Sequence, residues 1–132
     1  MRRQSRELSL QILFQIEFAP QMNLKDLTHV FEKTFESSVM DYALKVVDGV
    51  KANAERIDAK ISTASAHWKI DRMASVDRNI LRIAVYEMIF AKETLEPKIA
   101  INEAIEIAKI FGTQESSAFV NGLLDQILRN EK

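Results

Sequence analysis

The stretch SVMDYALKVVDGVKANAERIDAKISTA, residues 38–64, decides the fold class. Within it Ala43, Val47, Val50, Ala54, Ile57, Ile61 and Ala64 follow one another at steps of 4, 3, 4, 3, 4 and 3 residues. An α-helix turns once every ~3.6 residues, so this spacing draws one unbroken apolar seam along a helix. Lys51, Asn53, Glu55, Arg56, Asp58 and Lys60 lie between the seam positions and belong on the outer face. Ser38 is the expected cap, with the acidic Asp41 three residues on. A single seam this short fits packing inside a bundle better than a free coiled coil.

Helices extend outward in both directions. Residues 62–73 read as a connection carrying Trp68 and one short helical turn. The next helix, 76–91, is apolar nearly all round, from Ile80 and Leu81 to Met88 and Ile89. Such a helix belongs in the middle of a domain. Pro97 punctuates the chain, and a helix over 99–111 ends at Gly112, a natural C′ residue. The last helix, 116–128, puts Phe119, Leu123 and Ile127 on one face. On the N-terminal side, a helix over 24–36 carries Leu27, Phe31 and Phe35 with Val30 beside them, capped by Asn23. The first helix, 3–19, stops before Pro20. Leu8, Ile12 and Ile16 make one stripe on it, and Arg3, Leu10 and Phe14 a second. The expected architecture is all-α, two packed helical bundles in one compact domain over 1–132, with sub-bundles of about 1–65 and 66–132.

Composition narrows the function classes. At 132 residues, 47% hydrophobic and 28% charged, the chain suits one soluble globular domain. Three Gly and two Pro leave room for long helices. The absence of Cys removes disulfide frameworks, thiolate metal sites and Cys nucleophiles, and fits a reducing cytosol. The basic start, Arg2, Arg3 and Arg6, leads into no apolar run, because Gln11, Gln15 and Glu17 interrupt it. It is read as neither signal peptide nor anchor, and no segment approaches membrane-spanning length. A net charge of −1 argues against coating nucleic acid non-specifically, so any such binding needs a local patch or a partner.

Signatures of catalysis are missing: no nucleophile elbow, P-loop, dinucleotide fingerprint or zincin helix. His29 and His67 are far apart and lack a ligand-spaced carboxylate. Asp71, Asp77, Glu87 and Glu103 could be paired as acid and base on paper, but carboxylates in helical proteins are mostly solvated or capping. No catalytic residue, metal site or cofactor is expected.

The basic N-terminus is more informative. Arg2, Arg3 and Arg6 open a helix whose dipole they oppose, and an external anion would relieve that conflict. Guanidinium forks suit phosphates, and Phe14 shares the stripe of Arg3, which together make a platform for single-stranded RNA. The same residues also fit idle, frayed arginines with Phe14 in the core. A second constellation, residues 111–122, joins the last two helices. Gly122 inside a helical pattern costs roughly 1 kcal/mol against Ala, which suggests a close backbone approach there, either helix to helix or helix to ligand.

Several motifs then occur in order: ILRIAVYE at 80–87, PKIAINEAIEIAK at 97–109, FG at 111–112 and FVNGLLD at 119–125. RRQSRE at 2–7, followed by Gln11, Leu13 and Phe14, precedes them. The set resembles the NusB family of bacterial transcription antitermination factors, densely from about 68 to 128 and more thinly over 20–65. The resemblance implies an all-α, non-enzymatic, cytoplasmic factor. It implies binding of the boxA element of nascent RNA together with NusE, which is also a small-subunit ribosomal protein. The pair would join an antitermination complex on RNA polymerase that supports ribosomal RNA transcription. Carried over by position, Arg2, Arg3, Gln4, Arg6, Phe14, Glu115 and Phe119 are implied at RNA, Gln4 standing where relatives often have a basic residue. Phe119 also fits the core. Asp77 is implied on the NusE surface. Two alternatives stay open: a purely protein-binding helical adaptor, and an appendage domain of a ribosomal RNA methyltransferase. The end of the chain at Lys132, with no methyltransferase motif behind it, favours a standalone factor. Exposed aromatics would also allow a homodimer.

Overall fold

Apolar residues recurring every three or four positions fold as the periodicity requires, into helices packed on a shared core. The computed structural model describes every residue except Met1, Met22 and Lys33, and the side chain of Val30, whose expected place therefore lies outside the described residues. Among the described residues there are seven α-helices and no strand: α1 (Arg2–Phe18), α2 (Leu24–Glu32), α3 (Ser37–Ala52), α4 (Ala54–Ala64), α5 (Ser75–Val85), α6 (Pro97–Phe111) and α7 (Ser116–Asn130). A 3₁₀ turn, Ile70–Arg72, precedes α5, and a π turn, Tyr86–Phe90, prolongs it. The all-α expectation holds.

The apolar helix α5 is central, as its sequence demands. It packs against α1, α3, α4, α6 and α7, and buries Ile80, Leu81, Ile83, Ala84 and Val85. α1 lies along α3, α6 along α7, and α4 against α7 and α5. Two serines let α1 come close to α3. Ser5 Oγ donates to Val39 O (3.1 Å) and Ser9 Oγ to Ala43 O (3.1 Å). Both bonds join residues 34 apart, so the two helices run parallel, with their N-termini at the same end.

Five local expectations are corrected. The helix expected over 38–64 is two helices, broken at Asn53, whose backbone is no longer helical (φ −111°, ψ 17°). Asn53 Nδ2 takes the Gly49 carbonyl at 2.8 Å, beside the Asn53 N–H at 3.1 Å. A short amide side chain that competes for backbone partners ends α3 there. Ile57 and Ile61 remain fully buried beyond the break, but Ala54 is exposed. α3 also starts at Ser37, with Glu36 at the cap position, so Ser38 lies inside the helix and Asp41 is exposed.

The second helix ends at Glu32, short of 36, and the Thr34 and Phe35 N–H groups turn back to Phe31 O. Its cap is as expected: Asn23 Oδ1 accepts from Lys25 N at 2.7 Å. Gly112 does end α6, but in extended backbone (φ −95°, ψ −169°), not the left-handed form. Gly122 faces open space, so no neighbouring helix packs closely on it. The close approach is at Gly49 in α3, where an added Cβ would overlap the Tyr86 ring.

Candidate nucleic-acid interface

Three cations and two carboxylates meet where α1 begins. Arg6 lies on the inner side of α1, 5% exposed, and Glu87 on the π turn is 2% exposed. Arg6 Nε donates to both carboxylate oxygens of Glu87, at 2.8 and 2.9 Å. The wider π turn closes with Ala91 N donating to Tyr86 O, and the Glu87 carbonyl accepts from Leu95 N, fixing the backbone that carries the carboxylate. Tyr42 of α3 donates its hydroxyl to Glu87 at 2.5 Å. Burial, together with that bond to a carboxylate, pushes the Tyr42 pKa up to about 12, so the phenol stays a donor.

The second carboxylate, Glu103, projects from α6. Arg3 grips it with two bonds, from Nε (3.1 Å) and Nη2 (2.6 Å), and Arg6 Nη1 adds a third at 3.3 Å. The bond from Arg3 holds the Glu103 carboxyl below the ordinary carboxylate range. The conflict between the arginines and the dipole of α1 is thus partly relieved from inside the molecule, by Glu87 and Glu103. These are two of the carboxylates that could have formed an acid–base pair on paper; in the fold they are counter-ions.

The expected RNA residues separate into different roles. Arg2 is exposed, with its guanidinium carbon 3.7 Å from the centroid of the Tyr42 ring. Arg3 keeps 47% of its side chain exposed despite its ion pair, and Gln4 is exposed. Arg6 is turned inward, with Nε on Glu87 and Nη1 on Glu103, and so lies behind the exposed face on which Arg2 and Arg3 stand. Burying a guanidinium is tolerable only with such partners. Phe14 is 37% exposed, not sealed in the core. It stacks on Phe18 (centroids 6.3 Å apart, planes 8° apart), and Phe18 is 78% exposed. Phe18 is an addition to the residues expected from sequence, and its i+4 spacing from Phe14 extends the same stripe.

Glu115 and Phe119 sit on a different element, the start of α7. Glu115 is exposed and accepts from Thr113 Oγ1 at 3.3 Å, while Phe119 is half-buried against the core. Asp77 occupies the first turn of α5, and its Oδ1 is buried with no hydrogen-bond partner among the described residues. No helix here is long and apolar enough to cross a membrane, and no group of three or more His, Cys, Asp or Glu could hold a metal ion, among the described residues.

With this geometry in view, the family model described as NusB family matches residues 3–129. The chain belongs to the NusB family. A transcription antitermination protein NusB from Bdellovibrio bacteriovorus is 60% identical over 126 residues, spanning 96% of this chain and 93% of its own length. Among solved NusB structures, that of T. maritima superposes with a TM-score of 0.87 at 38% identity, covering 98% of this chain and 91% of its own. A crystal structure of antitermination factors NusB and NusE in complex with dsRNA gives a TM-score of 0.84 at 28% identity, covering 98% of this chain and 96% of that one. The NusB fold is therefore shared along essentially the whole chain.

Proposed function

We propose that this protein is a transcription antitermination factor that binds boxA-type RNA together with NusE and supports ribosomal RNA transcription. The observation that carries the reading is the likeness, over nearly the whole chain, to a NusB solved with NusE and RNA. The exposed residues of α1 give that reading its physical form. Arg3 and Arg2 supply guanidinium groups for phosphate, Gln4 a neutral donor, and the Phe14 ring a stacking face. Arg6 acts from behind, holding the Glu87 carboxylate that in turn holds Tyr42. Glu115 and Phe119 form a second stretch of the RNA path on α7. Asp77, with a buried carboxylate oxygen lacking a partner, is the residue read at the NusE surface. The protein works without catalysis, in the cytoplasm, as one domain built from two helical sub-bundles.

A second reading, a protein-binding adaptor whose RNA patch has lapsed, draws support from the pairing of Arg3 and Arg6 with carboxylates. Titration of the full chain with a short single-stranded boxA RNA, alone and with NusE, separates the two. Under the first reading NusE tightens binding, affinity falls with salt, and Arg3→Ala weakens it about tenfold, the worth of one charge-assisted phosphate contact. RNA affinity that ignores both NusE and Arg3→Ala would leave the adaptor reading standing.

A further inference from the structure

Beside the arginine cluster lies a groove that only Arg2 among the carried-over residues reaches. It is lined by Arg2 and Ser5 of α1 and by Ser38, Asp41, Tyr42 and Lys45 of α3, and has a volume of about 380 Å³. That is within the lower part of the range of small-ligand sites, roughly 300–1,000 Å³. Each lining residue is polar or charged, with two cations against one carboxylate. Arg3 and Arg6 are ion-paired with Glu103 and Glu87, whereas Lys45 makes no ion pair among the described residues, and Arg2 lies over a ring instead of a carboxylate.

We infer that this groove seats one nucleotide of the bound RNA, with the base against the Arg2 guanidinium on Tyr42 and the adjoining phosphate on Lys45. The inference rests on the reading of the protein as an RNA-binding factor and extends its contact surface from α1 onto α3. Tyr42 is suited to the part because it cannot drift. Its hydroxyl is anchored to Glu87 at 2.5 Å, and Glu87 is anchored to the buried Arg6. The ring therefore gives Arg2 a fixed support, and a guanidinium held flat by an aromatic presents a plane on which a base can stack. Lys45, on the same helix and three residues from Tyr42, offers a compact point charge for a phosphate oxygen. Asp41 works against the anion, which limits this subsite to a contributing role. Arg6 thereby influences RNA without touching it, as a positioning residue acting through Glu87 and Tyr42.

The test is the boxA RNA titration across a salt series, with the full chain and NusE, using Lys45→Gln, Arg2→Lys and, as a reference, Arg3→Ala. Lys45→Gln should weaken binding about three- to tenfold and reduce the slope of log affinity against log salt by about 0.7, the value for one single-strand phosphate. Arg2→Lys keeps the charge but removes the plane, so it should weaken binding about threefold or more with the slope unchanged. Both exposed substitutions should leave thermal unfolding unaltered. If Arg3→Ala weakens binding while Lys45→Gln and Arg2→Lys change neither affinity nor slope, the groove lies off the RNA path and only this inference falls. If instead Lys45→Gln weakens NusE binding without RNA, the groove belongs to the protein partner and the inference is overturned. Failure of the unaltered chain to bind RNA at all would remove the functional reading and this one together.

Discussion

The two ends of α1 carry ion-pair clusters of opposite design. At the C-terminal end one carboxylate, Glu17, is surrounded by donors from α5: Ser75 Oγ at 2.5 Å, Arg78 Nε and Nη2 at 2.9 and 2.8 Å, and Arg82 Nη1 at 2.8 Å. Arg82 also grips Asp58 of α4 at 2.9 and 3.1 Å. Two arginines there face two carboxylates in direct contact, and the charges close on themselves. At the N-terminal end Arg2, Arg3 and Arg6 have two carboxylates, Glu87 and Glu103, in direct ion-pair contact among the described residues. The surplus cation, and the half-exposed Arg3, remain available to an outside anion. A balanced cluster clasps helices together; an unbalanced one both clasps and recruits. The inner half of the N-terminal cluster is buried and structural, the outer half is the part proposed to meet RNA, and Glu103 sits on the boundary.

The strongest way to break the comparison is at Arg6. Arg6→Ala would leave Glu87 buried without its cation, and removing one partner of a buried pair typically costs about 3–5 kcal/mol. Denaturant unfolding should show a loss of that order, larger than for any arginine of the Glu17 cluster. Replacing Arg6 and Glu87 together by apolar residues should recover much of it. A loss under about 1 kcal/mol for Arg6→Ala would mean that the inner pair is not the structural half.

A smaller effect is expected from the balanced end. The Glu17 carboxyl, although partial burial pushes it up, is held down to about 2 from its ordinary 4.5 by the bonds from Arg78, Ser75 and Arg82. The folded state thus binds its proton more weakly than the unfolded chain does, so stability rises with pH across this window. The contribution is fully present above about pH 4.5 and fades as pH falls towards 2. Because the side chain is 24% exposed, solvent screening leaves it on the order of 1–2 kcal/mol. Glu17→Gln should cost that much at pH 7, the gap to the unaltered protein should narrow between pH 4.5 and 2, and RNA affinity should be unmoved. A gap of constant size down to pH 2 would show that the charge of Glu17 is not what the arginines hold.

Why the sequence disclosed one end of this helix better than the other follows from what periodicity can carry. Leu8, Ile12 and the central Ile80–Val85 run read directly as core, because burial of apolar residues repeats with the helical turn. The break at Asn53 did not show, since its neighbours Val50 and Ile57 keep the seam in step through it. The burial of Arg6 was hidden for a different reason. Its partners Glu87 and Glu103 lie 81 and 97 residues away, and nothing local marks an arginine that tertiary contacts will neutralise. Phe14 fits an exposed platform and a core place equally well from sequence; Phe18 beside it extends the same stripe at i+4 spacing. Gly122 interrupts a helix in open space, whereas the glycine with a steric reason is Gly49, beside the seam residue Val50, where no break in the periodicity marks it.

The smallest expected effect is the one that best sharpens the boundary between the two halves. Glu103 is 19% exposed and bonds Arg3 twice, so in the free protein it occupies the guanidinium edge that a phosphate would need. Glu103→Gln removes the charge while keeping the shape. Half-exposed ion pairs contribute little, so stability should fall by less than about 1 kcal/mol. RNA affinity should rise, by about two- to fivefold, because a phosphate no longer has to displace a carboxylate before it meets Arg3. The direction matters more than the size. A rise makes Glu103 a competitor that weakens the grip on non-cognate anions. A fall in affinity would instead make it the strut that aims Arg3, and would move Glu103 from the boundary into the structural half beside Glu87.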